Sequence, residues 1–117
     1  MTVEEVTRAR LELLSGDGSI RAEDDYMDTE VGTRGLVRIM DRRGSLIGLE
    51  FIEPEEVWAD PDAVEEYAET LEDGIHVTVV VPDVELADAR ALLSEEVGKA
   101  VQVLAYSETA KPSDLMG

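Results

Sequence analysis

Four arginines, Arg34, Arg38, Arg42 and Arg43, fall within one short stretch that holds a single acid, Asp41. They stand out in a chain with 28 acidic and 10 basic residues and a net charge of −18. A guanidinium fork suits carboxylate and phosphate groups, so the set reads as an anion- or partner-binding cluster. Its bland alternative is a polar hairpin loop whose arginines balance nearby acids. A third reading is intermolecular: the basic hairpin of one copy could meet the stretch from Glu53 to Asp73 of another, which has ten acids and no base. Self-association ranks first, a plain surface second and a small anion third. Nucleic acid ranks last, because the field of the whole chain repels phosphates and no aromatic platform accompanies the arginines.

The acids offer a second kind of chemistry. Glu23, Asp24, Asp25 and Asp28 are hard oxygen ligands within a short segment, and are candidates for a divalent-metal site. Asp17-Gly18-Ser19-Ile20 matches the middle of an EF-hand loop, but the match fails around it. Its first ligand position would be Leu13, its third Ser15 and its twelfth Asp24 in place of a bidentate Glu. The alternative is a solvated acidic loop in an acidic protein. His76 is the single histidine, with no second one to form a metal pair, and a lone histidine at a strand start is usually a packing residue. There is no cysteine, which excludes disulfides, thiolate metal sites and a cysteine nucleophile. No nucleophile-elbow or phosphate-loop glycine pattern occurs. Nothing points to an enzyme, and no cofactor is implied.

These residues need elements to hold them. Thr2 followed by Glu5 is a capping box, and Val3, Val6, Leu13 and Leu14 give a helix over 2–15 whose stripe Arg10 interrupts. Gly16 should end it in the left-handed conformation. Residues 16–33 show neither helical nor strand period and read as a loop with at most a short strand near Ser19–Ala22. Residues 35–52 read as a β-hairpin in which Asp41 pairs with Ser45, Gly44 takes the left-handed turn position, Val37 faces Leu49 and Ile39 faces Ile47. Asp60-Pro61 starts a helix over 61–73, with Val64, Tyr67, Ala68 and Leu71 as its stripe. Alternation from Ile75 to Val81, a helix with Leu86, Ala89, Leu93 and Val97 on one side, and alternation from Val101 to Tyr106 make a β-α-β unit, whose strands should run parallel.

The expected fold is therefore α+β in a single small domain over 1–107. It has a four-stranded mixed sheet, a β-hairpin plus the parallel β-α-β unit, with two helices on one face and an N-terminal helix. A ferredoxin-like sandwich or a relative is the nearest common architecture. Residues 108–117 read as a flexible tail. The second sheet face would carry His76, Thr78, Val80, Gln102, Leu104 and Tyr106. It is too apolar to be bare, so either the N-terminal helix or a second copy must cover it.

Composition sets the remaining bounds. No apolar run is long enough to span a membrane, and the charged first residues do not resemble a signal peptide. A cytoplasmic protein is expected, with no membrane or nucleic-acid partner. Eight of the ten basic residues are arginine, which suits adaptation to high salt. The functional expectation is a non-catalytic interaction or regulatory domain that self-associates, as a homodimer or higher oligomer, through the sheet face or the hairpin. The alternative is a small-ligand or divalent-metal-binding protein using the acidic residues 23–30 or the arginine hairpin 34–43.

Overall fold

The computed structural model describes residues 2–109. The chain is α+β, with a five-stranded mixed sheet and three helices. The elements run α1 (Val3–Ser15), β1 (Arg21–Asp28), β2 (Thr33–Met40), β3 (Leu46–Ile52), α2 (Pro61–Glu72), β4 (His76–Val81), α3 (Leu86–Glu96) and β5 (Gln102–Ala105), with short 3-10 turns at Glu55–Ala59, Asp83–Glu85 and Tyr106–Glu108. Strand order follows the sequence, β1-β2-β3-β4-β5. The pairs β1–β2 and β2–β3 are antiparallel, while β3–β4 and β4–β5 are parallel.

The N-terminal signals of α1 and α2 are realised. Thr2 accepts from the Glu5 N–H at 3.1 Å while Glu5 reaches back to the Thr2 N–H, so the capping box is formed. Asp60 caps α2 by accepting from the Asp62 N–H, with Pro61 at the first helical position. Gly16 departs from expectation: its φ is −72°, because the Gly16 and Asp17 N–H groups continue the turn onto the carbonyls of Leu13 and Leu14.

A five-stranded sheet replaces the expected four. The segment read as a loop is β1, which pairs along its whole length with β2, from Arg21 opposite Met40 to Asp28 opposite Thr33. Its side chains are exposed on both faces apart from Ala22, so it carries no apolar alternation to betray it. The chain thus opens α-β-β-β rather than strand-helix-strand, and its likeness to a ferredoxin-like sandwich is confined to two helices on one face of a sheet.

The hairpin turn matches its sequence, and its register does so only in part. The Asp41 N–H donates to the Ser45 carbonyl at 2.9 Å, and Gly44 has a φ of +85°. Met40 faces Leu46, but a β-bulge then shifts the pairing, so Ile39 faces Gly48, Val37 faces Glu50 and Leu36 faces Phe51. The bulge adds Ile47 to one strand and turns Glu50 to the face where α1 lies.

Two cores result, one on each side of the sheet. Phe51, Val77, Val79, Val81 and Val103 pack against Ala63 and Tyr67 of α2 and Ala89 and Leu93 of α3. On the opposite face Val37, Ile39, Ile52, Val80 and Leu104 pack against Val3, Val6 and Leu14 of α1. The face left open by the sequence pattern is therefore covered by the N-terminal helix. Gly35 makes that docking possible, since a Cβ there would overlap the Thr7 hydroxyl and crowd Val3 and Ile52. Two residues of the expected tail at 108–117 are ordered parts of the fold: Glu108 accepts from the Ala105 N–H at 3.0 Å and Thr109 is buried. Residues 110–117 lie outside the described residues. No described helix is long and apolar enough to cross a membrane.

Candidate functional site

The three parallel strands end together, and the segments that follow them define a cleft of about 560 Å³. Pro54 and Glu55 follow β3, Pro82, Asp83 and Val84 follow β4, and Tyr106 and Ser107 follow β5. Val3 from the start of α1 and Val31 from the β1–β2 turn complete the lining. Ligand sites favour the carboxyl ends of parallel strands, because chain reversals there bring non-consecutive segments together.

The walls are tied by side chains. The Asp83 carboxylate accepts from the Ser107 N–H at 3.0 Å, joining the segments after β4 and β5 and holding the Asp83 carboxyl below its ordinary range. The Trp58 indole N–H donates to Glu85 at 2.7 Å, joining the 3-10 turns after β3 and β4. The Tyr106 hydroxyl donates to the Glu53 carbonyl in a short contact. Burial pushes the Tyr106 hydroxyl up, and the charges of Glu85, Glu53, Glu4 and Glu55 push it further. The field in the cleft is thus negative.

Two features of the cleft have no role in holding it together. Val84 is 91% exposed and Val31 54%, both at the mouth. Glu55 has a φ of +34°, the only non-glycine residue at positive φ among the described residues. Strain of this kind persists only where the surroundings over-determine it. Here Pro54 fixes the approach and the 3-10 turn fixes the exit.

Behind the cleft lies a buried polar network that the sequence reading did not assemble. Arg34 donates its fork to both oxygens of Glu53, at 2.7 and 2.8 Å, and meets Glu66 at 2.8 Å. Its guanidinium lies 5.0 Å from the centre of the Phe51 ring and 5.9 Å from that of Tyr67. Tyr67 donates its hydroxyl to Glu53 in a short contact. Burial works against the Arg34 charge, but the Glu53 carboxylate outweighs it and keeps the guanidinium firmly charged. A second buried pair lies under α1, where Arg10 donates to both oxygens of Glu50 at 2.7 Å and to the Thr109 carbonyl at 3.1 Å. The available signal was local: Arg10 broke an apolar helical stripe, and Glu50 sat among Leu49, Phe51 and Ile52.

No protein-family model matches the chain, and comparison with curated proteins finds no relative.

The residues singled out from sequence are placed as follows. Arg34 is buried against Glu53 and Glu66; Arg38 pairs with Asp25 at 2.9 Å; Arg42 and Arg43 are exposed at the far end of β2 from Arg34. They do not converge on one anion site, because two of the four are committed to carboxylates of the same chain. Glu23 and Asp25 project from one face of β1, Asp24 and Asp28 from the other, as the period of a strand requires. Among the described residues no group of three or more His, Cys, Asp or Glu is placed to hold a metal ion. Of the six residues assigned to an oligomer face, Val80 and Leu104 are buried in the α1 core and Tyr106 packs against it. Thr78 is buried and bonded to Gln102 at 3.1 Å. His76 is exposed at the start of β4, the opposite end of that strand from the cleft.

Proposed function

We propose that the chain is a non-catalytic binding domain, and that its ligand site is the cleft at the carboxyl ends of β3, β4 and β5. The observation that carries this reading is the pairing of a tied, negatively charged wall with apolar side chains held at the mouth, Val84 above all. A valine this exposed contributes nothing to folding, and burying it against a ligand is favourable. The cleft volume falls within the range of small-molecule sites. Its charge suits an organic cation with an apolar body. Self-association through the sheet face loses its motive, because α1 supplies the apolar partner that face required.

The test is a titration followed by amide and methyl NMR, with butylammonium, butanol and butyrate as probes. Butylammonium should give saturable shifts at Val31, Val84 and Tyr106, butanol weaker ones, and butyrate none there. Val84→Ser should weaken butylammonium binding roughly fivefold, from about 1 kcal/mol of lost apolar burial, with no change in melting temperature. Shifts scattered over the acidic surface, or binding indifferent to Val84→Ser, would remove the assignment.

A further inference from the structure

The two edges of the sheet are treated differently. Edge strands expose unpaired backbone groups, and proteins ordinarily shorten, cover or block them. β5 spans only Gln102–Ala105, and the Arg90 guanidinium lies against it, donating to the Val103 carbonyl at 3.1 and 3.3 Å. β1 has eight residues, and seven of its eight side chains are exposed. It contains no proline, no lysine and no bulge in its pairing with β2.

The outward backbone groups of β1 can be identified. Thr29 and Gly32 close the β1–β2 turn with hydrogen bonds in both directions, at 2.8 and 3.3 Å. Hydrogen-bonded and non-hydrogen-bonded pairs alternate along an antiparallel ladder. Counting back from Thr29, Met27, Asp25 and Glu23 bond to β2, while Asp28, Tyr26, Asp24 and Ala22 point their N–H and C=O groups outward. The Tyr26 N–H fits this assignment: with no strand beyond it, it donates to the neighbouring Asp25 carboxylate at 2.8 Å.

We propose that β1 is a docking edge that receives an extended basic peptide segment by strand addition. The occupant follows from charge. An added strand would stand beside Glu23 and Asp25 on one face and Asp24 and Asp28 on the other. The exposed Tyr26 ring offers a face for a lysine or arginine stem. A second copy of this chain fits poorly, because pairing β1 with itself sets acid against acid, and like charges directly opposite are destabilising. A carbonyl of the segment takes the place of the Asp25 carboxylate as acceptor for the Tyr26 N–H, and its cations answer the acids on both faces. This edge is separate from the cleft, so either assignment can fail without the other.

The probe is a fluorescein-labelled octapeptide of alternating lysine and valine, with the glutamate–valine octapeptide as its opposite. Fluorescence anisotropy should show saturable binding of the lysine peptide alone. Bound peptide should slow hydrogen exchange at the Ala22, Asp24, Tyr26 and Asp28 amides and leave those of Glu23, Asp25 and Met27 little changed. Asp24→Pro removes an outward N–H and should weaken binding at least tenfold, whereas Asp24→Ala should cost only a few-fold. The Asp24→Lys, Asp28→Lys double variant should lose the lysine peptide and gain the glutamate peptide. The exchange pattern in the unaltered protein tests the assignment even if Asp24→Pro fails to fold. Exchange protection spread evenly over β1, equal effects of Asp24→Pro and Asp24→Ala, or a dimer in light scattering that Asp24→Pro dissolves would overturn it.

Discussion

Replacing Arg10 by methionine tests the architecture most severely. Arg10 and Glu50 are 0% and 1% exposed, and the guanidinium meets both carboxylate oxygens at 2.7 Å. Methionine fills much of the same volume but leaves the Glu50 charge buried with no counter-charge. Breaking a buried pair in this way costs about 3–5 kcal/mol, against about 5–15 kcal/mol for a whole domain. With a urea slope of about 2 kcal/mol per molar, the midpoint should fall by roughly 2 M. The Arg10→Met, Glu50→Leu double variant removes both charges and should recover most of the loss. It retains a deficit of about 1–3 kcal/mol, because the Thr109 carbonyl loses its Arg10 donor. Equilibrium urea unfolding of the unaltered protein, the Arg10→Met and Glu50→Leu single variants and the double variant gives the coupling directly. A single-variant cost under about 1 kcal/mol, or a double variant no better than the single, would show that the pair is hydrated and that α1 does not seal that face.

Gly35→Ala should destabilise by about 1–3 kcal/mol, because the new methyl overlaps the Thr7 hydroxyl and crowds Val3 and Ile52, while Gly18→Ala, which meets nothing within 4 Å, should be near neutral in the same urea assay. Tyr67 is held above its ordinary pKa of 10.0, first by burial and then by the Glu53 charge. The folded state therefore keeps a proton that the unfolded chain gives up: the stabilisation is complete below pH 10 and declines above it, by about 1.4 kcal/mol per pH unit, and Tyr67→Phe should remove that component of the slope. Melting temperature should climb with KCl up to about 1 M as repulsion among exposed acids is screened; a flat curve would mean that the −18 charge carries little folding cost.

What could be read from the sequence was local. The Thr2–Glu5 box, the Asp60-Pro61 cap, the Gly44 turn and the alternation through β4 each depend on neighbours a few residues away, and each is present. β1 was illegible for a physical reason. A strand exposed on both faces has no apolar period, and Glu23, Asp24, Asp25 and Asp28 look the same in a loop. The hairpin register failed at the bulge because both registers give an apolar face. What separates them is Arg10, 40 residues away, which needs Glu50 on its side of the sheet. The cleft was illegible because its lining comes from residues 3, 31, 54–55, 82–84 and 106–107, which meet only after the parallel strands are laid side by side.

The arginines show most clearly how sequence and structure differ. As a list they form a basic outlier inviting an anion. In the fold, Arg10 and Arg34 neutralise Glu50 and Glu53, the two fully buried carboxylates among the described residues, Arg38 pairs with Asp25, and Arg90 covers a carbonyl on the short edge. At these four arginines positive charge is thus drawn inward, or onto the molecule's own acids and carbonyls, and the exposed Arg8, Arg42, Arg43 and Lys99 still leave a large surplus of negative charge on the surface. A surface of this kind repels anions at a distance and attracts cations, whichever site they finally reach. That is why a cation suits both the cleft behind Val84 and the open edge of β1. Local geometry then separates the two proposed ligands: a tied pocket suits a small one, and a row of outward backbone groups suits an extended one.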